Sequence, residues 1–149
     1  MQHGIDHEPI AAEQYAKTFG RNIYRVGFVI NPTCAYLGCS PDRRVYDPDA
    51  TPPYGLLEIK CPSKESINDL KYLKVLPNGV ISLRESHEYF YQIMGQMGNT
   101  GATWCDFYVK CEEDFHLERI FFKPDFFLSM KHKLDFFYFN YFLPSLVTH

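Results

Sequence analysis

The chain has 149 residues, of which 17% are aromatic, and this length predicts one domain with a substantial buried core. Its formal charge of −3 excludes a globally basic nucleic-acid binder but leaves room for a local basic groove. The opening residues, MQHGIDHEPI, have neither a basic n-region nor an apolar h-region, so no secretory signal peptide is predicted. We therefore expect an intracellular protein, nuclear or cytoplasmic, whose five cysteines are reduced.

The first half of the chain is predicted to form a helix followed by strands. The stretch EPIAAEQYAKTF should be a helix that starts at Glu8, because Pro9 suits a first helical turn. The stretches IYRVGFVI and CAYLGCS have the composition of strands and flank an NPT turn. We expect RRVYD to continue the second strand after Asp42, and PDATPPY to form a loop.

The stretch GLLEIKC is predicted to be a third strand that carries two charges. Successive side chains of a strand point to opposite faces, so Glu58 and Lys60 should leave the same face. Their Cα atoms would then be roughly 6.5–7 Å apart. A half-buried carboxylate is costly unless a cation compensates it. One interpretation of this pair is therefore a partly buried ion pair without a catalytic role.

The second half is predicted to contain two helices and two strands. An irregular, lysine-bearing segment with a turn at its PNG sequence comes first. SHEYFYQIMGQMG then has the apolar repeat of a helix, with Tyr89, Gln92 and Gln96 along a polar edge. WCDFYVKC and HLERIFFK should form a hairpin around EEDF. A final helix begins near Pro124, and charges within it argue against a membrane span.

This order of elements predicts a mixed α/β (α+β) fold. A helix, three strands, a helix, two strands and a helix fit one central mixed β-sheet flanked by helices. If the second and third strands are neighbours, Asp42 comes close to Glu58. Two adjacent carboxylates repel each other unless a divalent metal lies between them. An oxygen-rich site of this kind suits Mg2+ or Mn2+ better than zinc. Lys60 could orient or deprotonate a water molecule that attacks a phosphate bound there.

Several stretches, in order, resemble one nuclease family. SPD followed by LEIKCP resembles the core motif of the PD-(D/E)XK nucleases, specifically the lambda-exonuclease, or YqaJ-like viral recombinase, group. GIDHEPIAAEQY resembles that group's upstream helix, and HEYFYQIMGQM its helix bearing tyrosine and glutamine. TGATWCDFYV, ERIFF and LDFFYFNYFLPSL resemble its two later strands and its closing helix. The resemblance implies a restriction-endonuclease-like core.

The resemblance also implies an active site that binds Mg2+ or Mn2+. Asp42 and Glu58 would be the main metal ligands, completed by the Ile59 carbonyl and by Glu8. Lys60 would orient or deprotonate the water that attacks the phosphate. The implied contacts to DNA are Ser40, Arg43, Arg44, Lys64, Tyr89 and Gln92. On the same helix Gln92 could instead support Lys60 as a catalytic residue, and Gln96 is a further candidate.

The implied function is metal-dependent hydrolysis of DNA that leaves a 5'-phosphate and a 3'-hydroxyl. We expect an exonuclease on double-stranded ends, in viral or mobile-element recombination. The family usually has a helical region upstream that holds the 5'-phosphate, so residues 1–149 are expected to be a single domain lacking that region. The alternative is a nuclease-fold DNA-binding or scaffold module with little or no activity. By family analogy, a homo-oligomer and a single-strand annealing protein are further partners, and no membrane is expected.

Overall fold

A computed structural model describes residues 2–24 and 43–137, with side chains described for 9–24 and 43–133. Its helices, named here α1 to α3, are Gln2–Phe19, Glu88–Thr100 and Pro124–Phe137. Its strands, β1 to β7, are Asn22–Tyr24, Arg43–Tyr46, Tyr54–Lys60, Leu73–Val75, Ile81–Leu83, Trp104–Lys110 and Phe115–Phe121. A single 3-10 turn, Ile67–Asp69, precedes β4 among the described residues.

The main sheet has five strands in the order β1-β2-β3-β6-β7. Strands β3 and β6 pair in parallel, while the other pairs in this sheet are antiparallel. Because a parallel pair needs a long crossover, the chain passes through β4, β5 and α2 between β3 and β6. The predicted mixed sheet flanked by helices is confirmed, and so is the predicted hairpin of β6 and β7.

Strand β3 divides two hydrophobic clusters by the alternation of its side chains. Leu57 and Ile59 pack with Ala12 and Tyr15 of α1 on one face of the sheet. Leu56 packs on the other face, in the cluster that contains the apolar side of α2 and Met130 of α3. Glu58 and Lys60 share the face of Leu56, as the sequence predicts, and therefore lie under α2.

Helix α1 begins earlier than the sequence predicts. It starts at Gln2 rather than at Glu8, and Pro9 lies inside it. A proline removes one backbone hydrogen bond from a helix, but its fixed φ is close to the helical value. Pro9 was therefore a poor marker of the first turn, since the same residue is compatible with a helix that continues on both sides of it.

The segment after β3 is more regular than predicted. Strands β4 and β5 form a hairpin in which the backbone N–H groups of Leu76 and Gly79 donate bonds of 2.8 Å. The predicted turn is confirmed, because Gly79 has a φ of +84°, which favours glycine. Glu118 of β7 anchors the hairpin by accepting a bond of 2.8 Å from the Leu83 N–H. The prediction of an irregular segment was wrong because strands of three residues are too short to show the alternation of apolar and polar residues that identifies a strand.

Part of the predicted first half lies outside the described residues. Of the strands predicted in IYRVGFVI and CAYLGCS, the described part is β1, which ends at Tyr24. The predicted continuation in RRVYD is β2. Helix α3 begins at Pro124 as predicted. Among the helices that the structure describes, none is long and apolar enough to cross a membrane.

Candidate active site

The centre of the site is an ion pair on the α2 face of β3. Nζ of Lys60 lies 3.1 Å from Oε1 of Glu58. Glu58 is only 5% exposed, whereas the Lys60 side chain is 24% exposed. The partly buried ion pair expected from the sequence is therefore present. It does not exclude a catalytic role, because the Lys60 side chain is exposed enough to meet a substrate.

Helix α2 is fixed over this ion pair by its ends and by its apolar side. His87 caps its N-terminus, where Nδ1 accepts a bond of 3.1 Å from the Tyr89 N–H. Gly101 ends it with a φ of +80°, and its N–H donates to the Met97 carbonyl. The apolar side, buried against the sheet, consists of Phe90, Ile93, Met94 and Met97. The remaining edge of the helix faces Glu58 and Lys60.

Two side chains of α2 contact the ion pair. Nε2 of Gln96 donates a hydrogen bond of 3.0 Å to Oε2 of Glu58. Nζ of Lys60 lies 4.2 Å from the centre of the Tyr89 ring, a cation–π contact. Gln92, the glutamine favoured by the family resemblance, is half-buried one turn before Gln96. The amide that contacts the carboxylate is therefore that of Gln96. Its place on the polar edge of the helix was the feature of the sequence that could have identified it.

The carbonyl oxygen of Gln96 distinguishes this amide from an ordinary core residue. Gln96 is 2% exposed, and Oε1 has no hydrogen-bond partner among the residues that the structure describes. Leaving a buried acceptor unsatisfied costs about 1–3 kcal/mol. A buried polar group of this kind beside a carboxylate is compatible with a site that binds a polar ligand.

The other residues predicted for the site lie on β2, on or just after β3, or outside the described part of the chain. Arg43 and Arg44 begin β2, where they pair with Leu57 and Leu56 respectively, and Arg44 is exposed. Ile59 is buried in β3, and Lys64 is exposed just beyond that strand. Asp42 and Ser40 lie outside the described residues. Glu8 is part of α1, but its side chain is also outside the described part.

The residues at hand suit a hard divalent cation. No group of three or more His, Cys, Asp or Glu side chains that could hold a metal occurs within the described part of the chain. Glu58 and the neighbouring Ile59 carbonyl nevertheless offer oxygen donors, the type that Mg2+ and Mn2+ prefer. Asp42 directly precedes Arg43, whose partner Leu57 is next to Glu58 in β3. The donor chemistry therefore fits the predicted metal.

The opposite face of the sheet holds a charged network that the sequence did not predict. Asp106 of β6 is fully buried and accepts hydrogen bonds from Arg119 at 2.8 and 3.0 Å. It also accepts bonds from Arg21, at 2.8 Å, and from the Tyr15 hydroxyl. Asp47 joins the network through Arg119 at 2.9 Å and Arg21 at 3.2 Å. This network ties α1 to β6 and β7, so its role is structural.

The ionisation of the network follows from its packing. Burial alone would raise the pKa of Asp47, but hydrogen bonds from Arg119 and a backbone N–H, with the charge of Arg21, lower it. Burial disfavours the charged Arg119, yet the hydrogen bonds and charges of Asp106 and Asp47 raise the pKa of that guanidinium above its ordinary value. Burial, and then the charge of Asp106, raise the pKa of Tyr15.

Comparisons with known proteins agree with the resemblance seen in the sequence. The chain's structure is similar to the crystal structure of an alkaline exonuclease, LHK-Exo, from Laribacter hongkongensis, with a TM-score of 0.66 and 29% identity. The match covers 92% of this chain and 66% of that one. The same exonuclease in complex with dAMP matches with a TM-score of 0.63 and 29% identity, over 89% of this chain and 63% of that one.

The chain thus spans just under two thirds of the length of these solved relatives. Among curated proteins, none matches the sequence significantly. The family description that matches is the YqaJ-like viral recombinase domain, over residues 1–103. This match covers more than half of the chain and includes all of β1 to β3 and α2, which carry the ion pair and its amide. The chain belongs to the YqaJ-like viral recombinase domain family.

Proposed function

We propose that the chain is a divalent-metal-dependent DNA nuclease, and that it acts as an exonuclease on double-stranded DNA ends during viral or mobile-element recombination. The family and the similarity to an alkaline exonuclease support the class of reaction. The single observation that carries the proposal is the buried Glu58, held between Lys60 and Gln96 on the α2 face of β3. A carboxylate is costly to bury, and Glu58 lies beside an accessible lysine and Oε1 of Gln96, which has no partner among the described residues; a bound phosphate or cation would contact these polar groups.

The proposed hydrolysis replaces one oxygen on phosphorus by another. A water molecule attacks the phosphorus atom, and the bond between phosphorus and the 3'-oxygen breaks. The water's first proton passes to a base, and the departing 3'-oxygen takes up a proton, which leaves a 5'-phosphate and a 3'-hydroxyl. Lys60 would orient this water or stabilise the charge that grows on the phosphate oxygens.

Glu58 has two functions in this proposal. Its carboxylate holds Lys60 in place through the 3.1 Å contact, and it provides oxygen atoms for a cation. The Ile59 carbonyl would add a ligand, and Asp42 and Glu8 would complete the set, as the family resemblance implies. Bound Mg2+ or Mn2+ would supply neutralisation of phosphate charge and a lower pKa for water.

Basic residues next to this site would hold the DNA. Arg43 and Arg44 begin the strand that pairs with β3: Arg44, opposite Leu56, shares the face of Glu58, whereas Arg43, opposite Leu57, leaves the other face at the edge of the site. Lys64 follows β3 on an exposed segment. Ser40 lies just before the two arginines in the sequence. Contacts of this kind go mainly to phosphate, so they would position DNA without reading its sequence. Tyr89 and Gln92, on the edge of α2, would face the same substrate.

The test is digestion of end-labelled linear duplex DNA, with a covalently closed circle of the same sequence as control. With Mg2+ or Mn2+, we expect the linear DNA to shorten from its ends and the circle to survive. With EDTA, both should survive. Equal cutting of the circle would replace the exonuclease by an endonuclease. Binding of DNA without any digestion would instead support the alternative of an inactive DNA-binding module.

A further inference from the structure

A cleft of about 510 Å³ opens beside the candidate active site. It lies between the first residues of β3 and the last turn of α2, and its lining includes Arg44, Tyr54, Leu56, Thr100 and Gly101. This volume falls within the roughly 300–1,000 Å³ of sites that bind small ligands or parts of larger ones. Glu58 and Lys60 themselves do not line this cleft.

Two elements connect the cleft with the candidate active site, although Glu58, Lys60 and Gln96 do not line it. Tyr54, Leu56 and Glu58 alternate along β3, so their side chains share one face of the sheet. On α2, Thr100 follows Gln96 by one helical turn, and Gln96 donates to Glu58. Leu56, which lines the cleft, is two residues and about 6–7 Å from Glu58 along the strand, and Tyr54 is four residues and about 13 Å from it.

An aromatic ring and a guanidinium flank the cleft at an exposed position. The Cζ atom of Arg44 lies 4.8 Å from the centre of the Tyr54 ring. Tyr54 is 46% exposed although it belongs to a strand whose next five residues are buried. Stacked aromatic and arginine side chains are the platform on which proteins bind single-stranded bases.

The charge around the cleft favours a base over a phosphate at this position. Helix α2 ends at Thr100 with Gly101 as its cap, so the negative end of the helix dipole faces the cleft. Carbonyl oxygens attract the N–H groups that every base carries and repel phosphate oxygens.

We infer that this cleft binds a nucleobase of the DNA strand, stacked on Tyr54 and flanked by Arg44, while the attached phosphate lies toward Glu58. This inference rests on the proposed nuclease function, which it deepens by naming where the strand is held. Because stacking accepts every base, the cleft should hold the strand without sequence preference.

The test is photocrosslinking of an oligonucleotide that contains one 5-iodouracil, which reacts with aromatic rings stacked on it. The wild-type protein is used in EDTA, and Glu58→Gln in Mg2+, with the crosslinked residue identified by mass spectrometry. We expect the crosslink on Tyr54 in at least one condition. Its yield should fall at least tenfold in Tyr54→Leu and stay unchanged in Phe115→Leu, an exposed strand aromatic distant from β3 in the sheet order.

Affinity for the same oligonucleotide, measured by fluorescence anisotropy, separates packing from stacking. Tyr54 also contacts the Tyr46 ring at 5.1 Å, so Tyr54→Phe is included because it keeps both ring contacts. We expect a Kd close to wild type for Tyr54→Phe and about tenfold weaker for Tyr54→Leu. A crosslink elsewhere in both conditions, or equal affinity of all variants, overturns the inference. Crosslinking on Tyr54 without metal-dependent cleavage would instead reject the proposed nuclease activity and support the binding of a base in the cleft.

Discussion

Gln96 and Glu58 lie 38 positions apart in the sequence, yet the Gln96 amide donates a hydrogen bond of 3.0 Å to Oε2 of Glu58. Lys60 contacts the other carboxylate oxygen at 3.1 Å. The carboxylate is thus held from two sides, by its own strand and by α2. Its orientation depends on the packing of that helix on the sheet, which makes Gln96 a positioning residue.

Replacement of Gln96 tests this positioning. In Gln96→Leu the side chain keeps a similar volume but loses its donor, so Glu58 should be held less firmly. A hydrogen bond to a charged group contributes about 1.5–3 kcal/mol, and loss of that much from the transition state corresponds to a roughly 10–150-fold lower kcat. KM for DNA should change little, because Gln96 is buried. An equal loss in Gln14→Leu, an exposed glutamine on α1, would contradict a specific role.

Replacement of Lys60 separates its catalytic role from its ion pair. In Lys60→Met we expect cleavage to fall by about 10²–10⁴-fold, as for loss of a group that handles protons. The free energy of unfolding should fall by about 1–3 kcal/mol, since Glu58 loses one partner. Lys71→Met removes the same charge from an exposed site and should leave both quantities near wild type. Parental activity in Lys60→Met would reject the assignment.

The buried network on the α1 face should control stability rather than activity. Asp106→Asn leaves Arg21 and Arg119 with one remaining acidic partner, Asp47. Breaking a buried ion pair on one side costs about 3–5 kcal/mol. Urea unfolding should show that loss, while the exposed substitution Asp49→Asn should change the unfolding free energy by less than about 0.5 kcal/mol. Similar midpoints for the two variants would show that the network contributes little.

The pH dependence of stability follows from Tyr15. Burial and the charge of Asp106 raise its pKa in the folded state, whereas the unfolded tyrosine titrates near the usual value of about 10. Above pH ~10 the folded state therefore binds more protons, and stability declines by up to about 1.4 kcal/mol per pH unit for this group. Below pH ~10 Tyr15 is protonated in both the folded and the unfolded state, so its contribution to stability is fully present.

In Tyr15→Phe the unfolding free energy should decline less steeply between pH 10 and 11.5, by up to about 1.4 kcal/mol per pH unit. The partly buried Tyr72 and the buried Tyr108 also have a raised pKa, but they contribute to the decline in both proteins and cancel in the comparison. Identical slopes in urea unfolding would show that Tyr15 ionises equally well in the folded state.

Much of the fold follows from local patterns in the sequence. The alternation in β3 placed Glu58 and Lys60 on one face, and the apolar stripe of α2 identified the helix above them. Such patterns are readable because one face of each element is buried. The hairpin of β4 and β5 was missed, since two strands of three residues have no period to detect.

The partners of the buried polar residues could not be predicted. Asp106 is the one acidic residue in the strand sequence WCDFYVK, and its partners Tyr15 and Arg21 are 91 and 85 positions away. The choice of Gln96 over Gln92 likewise depends on the rotation of α2 against β3, which tertiary packing decides. Asp42, the other main ligand expected from the resemblance, lies outside the described residues and stays a prediction.

The most direct measurement is the rate at which Glu58→Gln digests end-labelled duplex DNA in Mg2+, beside wild type and Glu113→Gln. The two substitutions remove the same charge, but Glu113 is exposed and distant in sequence from β3. We predict equal digestion by wild type and Glu113→Gln, and none by Glu58→Gln, with all three proteins folded by circular dichroism. Digestion by Glu58→Gln at the wild-type rate would contradict the active site described here.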